Sequence, residues 1–350
     1  MSDYCFILQE MNALRTYIPL IEKYNSLGAR SSFILHNKNK YNSPHLHQEY
    51  LKKICSDYKI NTIDFFYFQE HFKNKTIFTL EGKRIIDYDK EPVLDAEINQ
   101  VHSLPSQLDF LFCYKFQKEK AIKNLFQTSR AICDYYKIQD EKLFFSGDPK
   151  YSINLEKEKV ELKYKINTDK KIALLIHPEK PFGVSDENFL QICEYLKKLD
   201  FCVIVKARGK YSIKSNTNFI NNVDYLFEDF SWFPHDTMEL IHVADICINM
   251  DSTASMEMTM LNTPFINYRV ADRPNVKAFA KTVGLTERVC NFIYHYRFCT
   301  DNNEFGDFKC FSNQVEYLTG ENFSSEFEKA QKDYFFDKSK TLYKIISVVS

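Results

Sequence analysis

Asp251, Ser252 and Thr253 stand side by side directly after a short apolar run, residues 246–250, and Glu257 follows a little more than one helical turn later. All three side chains of the triplet are good helix N-caps, and two hydroxyls beside unbonded N–H groups suit a phosphate. A carboxylate one turn further in, Glu257, can accept hydrogen bonds from ribose hydroxyls. The same residue types also cap helices that bind nothing. A second group, Lys206, Arg208 and Lys210, follows the apolar run 201–205. Cations at that place suit a diphosphate, and they equally suit an ordinary exposed basic loop.

These groups need elements to place them. Residues 246–250 are long enough for a buried parallel strand. Residues 254–261 follow helical spacing, with Ala254, Met258 and Leu261 on one face and Glu257 among them. Asn262-Thr263-Pro264 ends that helix, and 265–268 forms the next strand. Strand, polar turn, helix, turn, strand is the unit of a parallel α/β sheet, and the turn lies at the carboxyl end of its strand, where such sheets bind ligands.

The rest of the chain continues the pattern. Residues 4–8 and 32–35 read as strands around a helix over 13–26, with Gly28 at its end. A helix is expected over 44–58 and a strand over 62–68. Residues 76–80 and 84–86, around Glu81-Gly82, read as a β-hairpin. A strand is expected within 101–112, a helix over 117–137 and a strand over 143–146. An exposed, Lys- and Glu-rich helix over 154–166 precedes a strand at 170–176, which opens a second sheet. Residues 185–199 form an amphipathic helix with Phe189, Ile192, Leu196 and Leu199 inward, and strands follow at 201–205 and 223–226. Asp236 caps the helix that leads to Ala244, and 326–349 reads as closing helices. His45 and His47, two apart and without Cys or His partners, read as surface residues.

The stretch from Ala244 onward resembles the donor-nucleotide half of GT-B glycosyltransferases and their relatives, the UDP-N-acetylglucosamine 2-epimerases and CDP-glycerol glycerophosphotransferases. Their "aD-x-x-I-x-x-x-S-[TG]-x-x-x-E-x-x-x-L-x-x-P-x-I" segment is met by Ala244, Asp245, Ile248, Ser252, Thr253, Glu257, Leu261, Pro264 and Ile266. Gly147-Asp148-Pro149-Lys150-Tyr151 resembles the seam where the first domain hands over to the second, with Ser152 in place of the usual acid. Lys206 matches the Lys of an "h-h-h-K-x-H-P" segment, whose His-Pro pair is missing here.

The resemblance implies an α/β GT-B fold, two Rossmann-like domains with parallel sheets facing a central cleft. It places an acceptor domain at 1–149, a donor domain at 150–325 and closing helices at 326–350 that cross back onto the first domain. It implies that His177, in the loop after 170–176, approaches the donor diphosphate, and that Phe230, Trp232 or Phe233 holds the base. It makes Glu10 and His36 candidates for the base that deprotonates an acceptor hydroxyl. The expected activity is sugar transfer from a nucleotide sugar to a glycan or lipid-linked glycan in surface polysaccharide assembly. No metal and no cofactor besides the donor substrate is expected, because metal-free GT-B enzymes neutralise the leaving diphosphate with helix N-termini and basic side chains. An epimerase, a phospho-polyol transferase with a CDP-linked donor and a non-catalytic relative are the alternatives.

Composition narrows the rest. The 350 residues allow two domains, and 44% hydrophobic content supplies their cores. A formal net charge of −1 offers no case for nucleic acid. Ten Cys without paired spacing read as small buried residues of a reducing cytoplasm. The amino terminus has no signal-peptide pattern and no run approaches ~18 apolar residues, so a cytoplasmic protein is expected, with peripheral contact at the inner face of a membrane left open.

Overall fold

The computed structural model describes residues 3–8, 11–35, 48–64, 76–80, 97–101, 122–127, 143–177, 186–207, 221–228, 231–250, 252, 254–268, 300–302, 308–318 and 340–349. The chain divides into two compact units, residues 1–153 with 334–350, and residues 154–333.

The first unit is built on seven parallel strands: β1 (Asp3–Leu8), β2 (Arg30–Leu35), β3 (Asn61–Asp64), β4 (Thr76–Leu80), β5 (Glu97–Val101), β6 (Ile122–Gln127) and β7 (Leu143–Phe145), in the order β3-β2-β1-β4-β5-β6-β7. Helix α1 (Leu14–Ser26) joins β1 to β2, and α2 (Gln48–Asp57) precedes β3. Helix α1 ends with the N–H of Gly28 on Asn25 O at 3.0 Å and that of Ala29 on Tyr24 O at 3.1 Å. Gly28 has φ +80, a conformation that glycine adopts without steric cost.

Two expectations fail in this sheet. Residues 76–80 do not form a hairpin arm: β4 is a parallel strand with both edges occupied, by β1 and β5. Residues 84–86 lie outside the described residues. The helix over 117–137 is also wrong, because 122–127 is strand β6, hydrogen-bonded between β5 and β7. Its apolar residues Ile122, Leu125 and Phe126 happen to fall at helical spacing. Two strand edges from elsewhere in the chain outweigh that local pattern.

Aromatic side chains fill the core between β1, β4 and α1. Phe6 stacks on Phe78 at 5.0 Å and lies 5.3 Å from Tyr17, whose hydroxyl donates to Ile7 O at 3.0 Å. Tyr24 stacks on Tyr4 at 3.8 Å, and its buried hydroxyl makes no hydrogen bond. Burial holds the Tyr24 phenol well above its usual range, and burial followed by nearby acids pushes Tyr58 up to about 12. Both folded-state values are raised, so their contribution is intact below about pH 10 and is lost as the pH rises toward 12. The Tyr24→Phe variant is expected to match or exceed the wild type by about 1 kcal/mol at neutral pH, because it deletes an unpaired buried hydroxyl. It should also lose less stability in alkali, as read by urea unfolding at both pH values.

Residues 147–152 complete this unit. Gly147 has φ 83, and Pro149–Ser152 is a 3-10 turn capped by Asp148. The Asp148 carboxylate accepts from the Lys150 N–H at 2.9 Å and from Thr16 Oγ1 at 3.2 Å. Lys150 Nζ lies 3.8 Å from its other oxygen, and both side chains are buried. Helix α8 (Thr341–Val349), at the end of the chain, packs on α1, β6 and this turn.

The second unit holds six parallel strands: β8 (Ile172–Ile176), β9 (Cys202–Ala207), β10 (Tyr225–Glu228), β11 (Ile246–Asn249), β12 (Phe265–Tyr268) and β13 (Thr300–Asn302), in the order β10-β9-β8-β11-β12-β13. All five residues of β8 and all six of β9 are buried, as expected for strands covered on both faces. Between them in sequence or flanking them lie α3 (Lys157–Tyr164), α4 (Asp186–Lys198), α5 (Asp236–Val243), α6 (Ser255–Met260) and α7 (Phe308–Leu318). Asp245 Oδ2 and Asp224 Oδ2 each accept a backbone N–H at 2.7 Å, from Ile172 and Val203, and so close the amino ends of β8 and β9.

In α4, Phe189, Ile192 and Leu196 are buried as expected. Leu199 is 41% exposed, because the helix stops at Lys198 and the chain turns away through Asp200 at φ 63. Both sheets are parallel α/β layers, as the sequence led us to expect. Among the described residues no helix is long and apolar enough to cross a membrane. Cys5, Cys193, Cys202 and Cys247 are buried thiols and Cys55 is half-buried.

Candidate functional site

The strand order of the second unit reverses at one place. The chain lays down β8, moves outward through β9 and β10, then returns to β11 on the other side of β8. At such a switch point the connections leave in opposite directions, and a crevice opens beyond the carboxyl ends of the two strands. Here those ends belong to β8 and β11. His177 follows the first and Ser252 lies just past the second.

The structure places the predicted residues around this point as follows. The His177 N–H donates to Lys206 O at 2.9 Å, which ties the tip of β8 to that of β9. Its ring meets Phe189 edge-on at 5.5 Å. Lys206 is 2% exposed, and its ammonium donates to Ala207 O at 3.0 Å. The cation therefore stands at the sheet's carboxyl edge, folded into the protein rather than extended over the surface. Ser252 is buried, and its Oγ accepts from the Ala254 N–H at 3.3 Å. Glu257 is also buried, in the first turn of α6.

His177, Lys206 and Ser252 thus come from three adjacent strand tips, β8, β9 and β11. Neighbouring strands lie about 4.8 Å apart, so the outer two tips are roughly 10 Å from each other. Arg208, Asp251 and Thr253 lie outside the described residues, as do Glu10, His36, His45, His47 and Phe230. Among the described residues no group of three or more His, Cys, Asp or Glu side chains comes together as a metal site would need.

Two features escaped the sequence reading. The first is Asn249, the last residue of β11, fully buried, whose Nδ2 donates to Ser252 O at 2.9 Å. A polar residue closing an otherwise apolar strand was the available signal. The second is a polar network joining α3 to α5. The Tyr164 hydroxyl lies 2.7 Å from Glu239 Oε2 and 3.0 Å from Asp236 Oδ1, and Lys163 Nζ also contacts Glu239. Burial, reinforced by these carboxylates, holds the Tyr164 phenol far above its usual range.

Asp236 is not the helix cap that its position had implied. His235 occupies the cap position, and Asp236 is the first helical residue. Its carboxylate is drawn instead to Tyr164 and to the Ser231 N–H at 3.4 Å. That contact steadies the segment holding Trp232, which is half-buried, and Phe233, which is 7% exposed.

No family model matches the chain, and no curated protein sequence matches it. Solved structures do share its fold. The chain is similar to the UDP-GlcNAc 2-epimerase from Methanocaldococcus jannaschii, with a TM-score of 0.63 and 11% identity over 99% of this chain and 99% of that one. It is similar to the UDP-GlcNAc 2-epimerase from Neisseria meningitidis bound to UDP-GlcNAc, with a TM-score of 0.61 and 12% identity over 100% and 99% of the two chains. It is also similar to the wall teichoic acid polymerase TagF, solved with CDPG, with a TM-score of 0.62 and 12% identity over 99% and 88%. The fold is therefore GT-B-like, the two-sheet parallel α/β architecture that these solved structures share.

Proposed function

We propose that the chain is a metal-independent glycosyltransferase that takes its sugar from a nucleotide-sugar donor, in the assembly of a surface polysaccharide. The observation that supports this reading most is the convergence of His177, Lys206 and Ser252 on the switch point of the second sheet. A diphosphate leaving group gathers negative charge as the glycosidic bond breaks. Backbone N–H groups, a serine hydroxyl and basic side chains held in place beforehand can stabilise that charge without reorganising. Ser252 and Lys206 take that role, joined by Arg208, Asp251 and Thr253, with His177 donating to a phosphate oxygen. Glu257 accepts from the ribose hydroxyls. Glu10 or His36 removes the proton of the acceptor hydroxyl, and the acceptor is a glycan or a lipid-linked glycan. The working place is the cytoplasm, at the inner face of the membrane when the acceptor is lipid-linked.

A second reading is an epimerase or a CDP-dependent phospho-polyol transferase, since the fold likeness extends to an epimerase bound to UDP-GlcNAc and to TagF solved with CDPG. A panel of CMP-, CDP-, UDP-, GDP- and dTDP-linked compounds separates these readings. The transferase hydrolyses its donor slowly when no acceptor is present, and the epimerase yields a new sugar isomer by NMR. Lys206→Ala and Glu257→Ala are each expected to weaken donor binding about tenfold or more, measured by calorimetry. Unchanged affinity in both, or no binding by any member of the panel, overturns the donor site.

A further inference from the structure

We propose that Asn249 is a positioning residue for the turn that receives the donor's phosphates, an inference that rests on the donor reading above. Asn249 ends β11 at the switch point and is fully buried. A carboxamide in such a place is costly unless it is hydrogen-bonded. Its Nδ2 meets Ser252 O at 2.9 Å, so a side chain of the strand grips the backbone of the turn that follows. The peptide group is planar, so anchoring its carbonyl fixes the plane of the peptide bond that leaves Ser252. Ser252 Oγ in turn accepts from the Ala254 N–H at 3.3 Å. Two side chains thereby hold Ser252 in place before any ligand arrives.

The sheet register adds a second link. Asn249 is paired with Ile176, and Ile176 with Lys206. In-register partners of parallel strands share a face, so Asn249 and Lys206 bracket Ile176 in the last row of the sheet. Both are buried and polar, and each donates to a backbone carbonyl at its own strand tip. Asn249 does not have to touch the ligand. It acts through the turn, and its loss raises the ordering cost of binding.

The test uses the full-length protein and calorimetric titration with UDP, CDP, GDP and dTDP. The nucleotide that the wild type binds most tightly is then titrated into Asn249→Leu and Asn249→Asp. Both variants keep the side-chain size, and both lack the donor at about pH 8, where a carboxyl is ionised. Each is expected to bind about tenfold more weakly at that pH. Near pH 5.5 a buried carboxyl regains its proton and can donate to the Ser252 carbonyl. Asn249→Asp should then recover most of its loss relative to the wild type at the same pH, while Asn249→Leu should not. A purely packing role would not produce that split. Wild-type affinity in both variants, or no recovery by Asn249→Asp, overturns the inference and leaves the donor reading standing. If the wild type binds none of the four nucleotides, the donor reading falls and this inference falls with it.

Discussion

Replacing Asp148 with leucine is expected to cost the first unit about 3–5 kcal/mol, the usual loss when one member of a buried ion pair is removed. The carboxylate serves Thr16 Oγ1, the Lys150 N–H and the Lys150 ammonium at once. Leucine takes the Asp148 carboxylate away from the buried ammonium and leaves the 3-10 turn without its cap. Ion pairs of this kind owe little of their value to attraction alone, since desolvation offsets most of it. The double variant Asp148→Leu/Lys150→Met should therefore recover most of the loss. Urea unfolding followed by far-UV circular dichroism reads the effect. The single Trp of the chain, Trp232, lies in the second unit, so its fluorescence reports whether that unit is affected too. A single-variant loss below about 1 kcal/mol would show that the pair is not carrying the turn.

Truncating Phe6 to alanine is expected to cost about 3–5 kcal/mol, in the range of aromatic-to-alanine changes in packed cores. Phe6 is fully buried on β1, a central strand, and its ring sits between Phe78 at 5.0 Å and Tyr17 at 5.3 Å. Those neighbours come from β4 and α1, so the cavity left behind is bounded by two other elements that cannot both collapse into it. Phe6→Leu, which keeps more of the volume and the apolar contact, should lose clearly less. The difference in urea midpoint between the two variants measures the cavity. Since domains of this size hold only about 5–15 kcal/mol in reserve, Phe6→Ala should remove a large share of the first unit's stability, and Trp232 fluorescence tells whether the second unit is affected too.

These two sites show how unevenly the chain can be read. The turn 147–151 was visible as Gly, Asp and Pro in succession, and these are turn residues by their own backbone chemistry. That its Asp reaches back to Thr16, a partner 132 residues away, was not visible. The helix expected over 117–137 failed for the same reason. Ile122, Leu125 and Phe126 satisfy a helical period, but strand pairing with β5 and β7 is decided by distant segments.

What the amino-acid sequence determined by itself was the local grammar of the second unit. Continuous apolar runs such as 172–176 and 246–249, broken by polar turns and followed by amphipathic segments, leave few options besides a parallel α/β layer. The same grammar located Ser252 at a strand tip. Only the tertiary structure decided that β11 lies against β8, so that the tips carrying His177, Lys206 and Ser252 adjoin and Asn249 and Lys206 share a row. Strand order and register are pairings between residues far apart in the chain, and their free energy comes from burial that no single segment can report.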